Sequence, residues 1–105
     1  MMGMFQIDPS LDLYLAREFM ASPVGLHSPN LQRLLRAMRG APLAGKYALL
    51  ATKPGHEWTL IQLSGDPEVA PVVHHDCVFT DLLEAEREVF RRRWKQMTSE
   101  ELNLE

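Results

Sequence analysis

His74-His75-Asp76-Cys77 sets two imidazoles, a carboxylate and a thiol in consecutive positions, and all of these groups bind transition metals. Spacing argues against one shared ion. Neighbours in an extended segment point to opposite faces, so His74 pairs only with Asp76, and His75 only with Cys77. Either pair needs a further ligand, and His27 and His56 are the only other histidines. The run therefore reads as a polar approach from strand to helix, with no metal site. A Cys77 nucleophile needs a base in reach and donors for an oxyanion, and no flanking motif supplies them. Gly40 and Gly45 lack the spacing and the following Lys-Ser or Lys-Thr of a phosphate loop. No catalytic, metal or cofactor residue is assigned in this chain.

A second chemical oddity lies in the helix that the apolar period predicts over residues 80–97. At 100° per residue, Leu82, Leu83, Val89, Phe90, Trp94 and Met97 gather into one arc. Glu86 and Arg93 fall inside it, and their neighbours three and four positions away on that face are uncharged. A charge held against apolar surface without a partner costs several kcal/mol. Both side chains are thus expected to meet another element or another chain, which makes this helix a docking surface. Phe90 and Trp94 supply apolar area, and Glu86 and Arg93 set register.

Composition bounds the remaining classes. At 105 residues the chain is read as a single domain, with 1–7 and 99–105 as flexible tails. Eleven basic residues against 14 acidic give a net charge of −3, which argues against a nucleic-acid binder. Glu84 can reach Arg87, and Glu88 can reach Arg91 and Arg92, at helical spacing, the pattern of a solvated face to which Arg93 is the exception. A single cysteine excludes an internal disulfide, and no apolar run reaches the length that spans a bilayer, so the expectation is a cytoplasmic protein without a membrane partner.

The positioning elements follow from caps and periods. Asp8-Pro9 opens a first helix running to Met20, apolar on two sides: Leu11, Tyr14, Leu15 and Phe19 on one, Leu13 and Met20 on the other. Such a helix contacts two things. Pro23 and Gly25 mark a bent connector. Ser28-Pro29 caps a second helix with Leu31, Leu34, Leu35 and Met38 on one face and Arg33 and Arg36 opposite, closed by Gly40 and Pro42. Residues 46–52 and 57–63 read as strands joined by the turn Lys53-Pro54-Gly55-His56. Ser64-Gly65-Asp66-Pro67 is a second turn, and a short strand over 69–73 is confined by Pro71 to an edge. The expected class is α+β: two N-terminal helices, a β-hairpin with a third, edge strand, and a long C-terminal helix packed on a small antiparallel sheet.

The order Pro23, Gly25, His27, Ser28-Pro29, Leu31-Gln32-Arg33, Gly45-Lys46-Tyr47, Trp58, Phe79, Glu84-Ala85, Val89-Phe90 and Arg92-Arg93 resembles the small subunit of N,N-dimethylformamidase. The resemblance implies a division of labour in which a larger subunit holds the iron and its ligands, and the small one packs against it. No catalytic residue transfers. Gln32, Arg33 and Tyr47 join Glu86, Phe90, Arg93 and Trp94 as expected interface residues, and the expected partner is a larger catalytic chain of an amidase complex or a second copy. The competing expectation is a stand-alone homodimer that binds a small ligand beside the sheet.

Overall fold

The computed structural model of the protein describes residues 6–104, and the chain falls into two units, one of residues up to 41 with those from 91 onward, the other of residues 42–90. The element order is α1 (Leu13–Ala21), α2 (Pro29–Arg39), β1 (Tyr47–Lys53), β2 (Glu57–Gln62), β3 (Val72–Phe79) and α3 (Leu82–Thr98). Three helices and one antiparallel sheet make the α+β class expected from sequence.

In the helical unit Asp8 does cap amides, but those of a turn that precedes the helix. Its Oδ1 accepts the N–H groups of Ser10 at 2.8 Å and Leu11 at 2.9 Å, while Asp12 Oδ2 accepts the Asp8 N–H at 2.8 Å. This reciprocal pair closes the turn on itself, and α1 begins only at Leu13. Leu15, Ala16 and Phe19 bury one face of α1, whereas Tyr14 stays exposed. The connector bends at Gly25, whose φ of +109° is a conformation that side chains resist. α2 starts where Ser28-Pro29 foretold: Ser28 Oγ accepts the Leu31 N–H at 3.2 Å, and proline occupies the first turn. Leu31, Leu34 and Met38 are buried, each at 1% exposure or less, and each contributes about 1.5–3 kcal/mol of hydrophobic stabilisation.

The end of the chain is seated within this unit. Thr98 Oγ1 donates to the Trp94 carbonyl at 2.8 Å, Ser99 turns the chain at φ +65°, and Lys95 pairs with Glu101 at 2.6 Å. Leu102 and Leu104 are half-buried. At the other end Ile7 is 8% exposed. Ile7 and the Lys95–Glu101 pair fall within the segments expected as tails. Residues 1–5 and 105 lie outside the described ones.

In the sheet unit the strands lie in the order β1-β2-β3, both pairs antiparallel. The β1–β2 turn has Pro54 followed by Gly55 at φ +76°, closed by the His56 N–H on the Lys53 carbonyl at 2.8 Å, the signature of a type II turn. Tyr47, Gln62 and Val72 face one another across the three strands, as do Leu50, Thr59 and Val78 on the opposite face. Leu60 on the first face and Thr59 and Ile61 on the second are all buried, so the central strand is covered on both sides. β3 is longer than foreseen. Pro71 lies just before it rather than within it, so the missing amide costs no ladder bond, and the strand runs through the His74–Cys77 segment read as a strand-to-helix approach.

α3 begins two residues later than expected, because Asp81 caps it: its Oδ1 accepts the Leu83 N–H at 2.9 Å, and its carbonyl accepts the Ala85 N–H at 3.0 Å. Its first half, as far as Phe90, belongs to the sheet unit, and the rest belongs to the helical unit. Ala85, Val89, Phe90 and Trp94 are the buried positions, and Glu84 pairs with Arg87 at 2.8 Å on the open side. Leu82 and Leu83, expected in the buried stripe, are 38% and 36% exposed, so burial begins only at Ala85.

Candidate functional site

His74 to Cys77 form the most polar stretch of β3, and the sheet register explains their arrangement. Ile61 pairs with Val73 and Thr59 with Val78, so β2 spends two steps where β3 spends five. The surplus residues form a bulge that contains the whole run. It is not a regular strand, and simple alternation does not place these side chains. His74 is half-buried and lies with its Nε2 at 3.2 Å from Gln62 Oε1, its ring 5.8 Å from that of Tyr47. Gln62 is itself oriented, since its Nε2 donates to the Gly45 carbonyl at 2.9 Å. With the amide nitrogen so engaged, Oε1 faces the imidazole as an acceptor, and the proton of neutral His74 is placed on Nε2. A carbonyl on the approach to β1 thus orients the amide that faces a histidine two strands away.

His75 and Asp76 are exposed, and Cys77 is half-buried. Among the described residues no group of three or more His, Cys, Asp and Glu side chains converges on a metal-sized site. His27 serves the connector, with Nε2 at 2.9 Å from the Ser22 carbonyl and its ring 5.9 Å from Phe19. His56 is exposed in the hairpin turn.

The expected contact residues divide by exposure. Glu86 and Arg93 are half-buried, on the arc between the buried Ala85, Val89, Phe90 and Trp94, where the helical period put them. Arg93 has interactions within the fold, and no buried side-chain nitrogen or oxygen among the described residues lacks a hydrogen-bond partner. Phe90 and Trp94 are 2% and 1% exposed: in this conformation they fill the chain's interior and offer no area to a second chain. Gln32 donates through Nε2 to the His27 carbonyl at 2.8 Å, fastening α2 to the connector. Arg33 is exposed on α2, and Tyr47 is half-buried on the edge strand β1.

One position escaped the sequence reading. Glu18, on α1, takes the Ser28 N–H on Oε2 at 2.7 Å and the Ser28 hydroxyl on Oε1 at 2.6 Å. The hydroxyl in turn accepts the Leu31 amide, so one carboxylate closes the start of α2. These bonds, the hydroxyl first, hold the Glu18 carboxyl below the usual carboxylate range. Asp8 is lowered too, chiefly by the Leu11 and then the Ser10 amide.

The helical unit also has an open depression of about 430 Å³ between Met20, Arg91 and the last four described residues. Its floor mixes apolar and charged groups without a convergent polar set. No helix among the described residues is long and apolar enough to cross a membrane. A family model described as N,N-dimethylformamidase alpha subunit matches residues 5–103. A search of curated proteins finds no match.

Proposed function

Because the chain belongs to the N,N-dimethylformamidase alpha subunit family, matched over nearly its whole length, we propose that it is a non-catalytic accessory subunit that docks to and stabilises a larger catalytic chain. The observation that carries this reading is that match to a family described as a subunit. On this proposal the amide-cleaving centre and its iron belong to the larger chain, and the assembly works in the cytoplasm. Accessibility supports the reading: Arg33 is exposed on the helical unit, and Tyr47 and Glu86 are partly accessible on the sheet unit, residue types that serve as polar contacts and aromatic anchors. Phe90 and Trp94 act indirectly by holding α3 in place.

Reconstitution from separately purified components tests the proposal, with the larger chain that co-purifies with this protein from its own cells. Light scattering is expected to show a stable complex, and amide turnover by the larger chain is expected to fall, or its melting temperature to drop, when this chain is left out. Turnover of N,N-dimethylformamide by this chain alone would overturn the proposal. So would a larger chain that is equally stable and active without it.

A further inference from the structure

The exposed side of α2 carries only positive charge. Leu31, Leu34 and Met38 are buried, and the helical period puts Arg33 and Arg36 on the opposite face with Arg39 at its margin; all three arginines are exposed. The helix contains no Asp or Glu, so no carboxylate of its own lies a turn from Arg33 or Arg36. The helix dipole favours Arg36 and Arg39 in the last turn but does nothing for Arg33 in the middle. At the N-terminal end of the row Tyr14 is 55% exposed, and its hydroxyl accepts Asn30 Nδ2 at 3.2 Å. Asn30 precedes Arg33 by about one turn, so the Tyr14 hydroxyl is held at the N-terminal end of the arginine row. An exposed tyrosine fixed by a hydrogen bond to the helix that carries two exposed arginines has the composition of a binding hot spot, with part of its ordering cost met before contact.

We propose that Tyr14, Arg33 and Arg36 form a docking surface for a carboxylate-rich segment of the larger chain. The identity of the partner rests on the subunit reading above; the chemistry of the surface does not. Guanidinium forks match carboxylates two bonds at a time, which gives register as well as attraction. Nucleic acid fits less well. Arg33 to Arg39 span about 9 Å of helix rise, enough for a few carboxylates but short of the roughly 6–10 phosphates that a typical nucleic-acid protein neutralises.

The test has two arms. In the first, the protein alone is titrated at low salt with a short oligoglutamate peptide and followed by NMR. Signals of Tyr14, Arg33, Arg36 and their neighbours on α2 are expected to move, and to stay still in R33Q/R36Q, a variant expected to melt with the wild type. Absent shifts, or shifts elsewhere only, overturn the proposal, as does tighter binding of an oligodeoxythymidylate of equal charge. In the second arm, R33E/R36E is expected to weaken association with the larger chain about tenfold or more and to flatten its salt dependence. Unchanged association overturns the surface but leaves the subunit reading intact. If the wild-type chain forms no complex at all, the subunit reading falls and the peptide titration alone decides the surface.

Discussion

Glu18 joins α1 to the first turn of α2 with both of its oxygens, and no local pattern announces it. Ten residues and a bend separate it from Ser28, so only the folded chain brings the two together. Gln at this position keeps an acceptor but loses the charge and leaves one amide donor facing the Ser28 N–H. E18Q is therefore expected to lower the melting temperature at neutral pH and to have a smaller effect in acid, where the wild-type carboxylate is itself protonated. Thermal melts at both pH values check this. Trp94 illustrates the opposite limit of sequence reading. Its place in the apolar arc of α3 is legible from spacing alone, but spacing does not say whether the cover comes from the same chain or another one. At 1% exposure it is interior, and W94A is expected to cost about 3–5 kcal/mol in denaturant unfolding. A loss within experimental error would show that this position is not packed.

At the scale of elements, caps were readable and interruptions were not. Ser28-Pro29 started α2 as expected because its bonds are local, and S28A is expected to cost about 1 kcal/mol of stability. A double-mutant cycle of S28A with E18Q should show strong coupling, since each partner loses the same hydroxyl bond; additive effects would separate cap from clamp. Asp8-Pro9 has the same signal but yields only a turn, because Asp12 reaches back to the Asp8 amide and closes it. The β3 bulge was hidden because it depends on which residues of β2 lie opposite, a non-local property. The connection between β2 and β3 makes a sharper prediction. Gly65 sits at φ +82°, and a Cβ there would lie 2.9 Å from backbone atoms of Ala44. G65A is expected to cost about 1–3 kcal/mol, read as a fall in melting temperature, because both the backbone angle and the close approach resist a side chain.

Across the whole molecule the two lowered carboxyls contribute to the response to acid. Asp8 and Glu18 accept hydrogen bonds only in the folded chain, so the folded state binds fewer protons than the unfolded one through the acid range. Their contribution is complete above the ordinary carboxylate pKa and fades as pH falls through the depressed folded values. Melting temperature is expected to decline over that interval, and D8N with E18Q to flatten the decline; an unaltered slope would assign acid sensitivity elsewhere. The α+β class was legible because each element carries its own period, whereas the division of α3 between two units was not, since one unbroken helical pattern serves both.

Both margins of the sheet are irregular: β1 spends an extra residue at Thr52 against β2, and β3 enters after Pro71 and then swells through His74–Cys77. A straight outer strand with open amides is a template on which copies stack into fibrils, and these distortions spoil the template. On the subunit proposal, that matters most in the interval between ribosome and assembly, when the chain must persist unaccompanied without seeding its own aggregates.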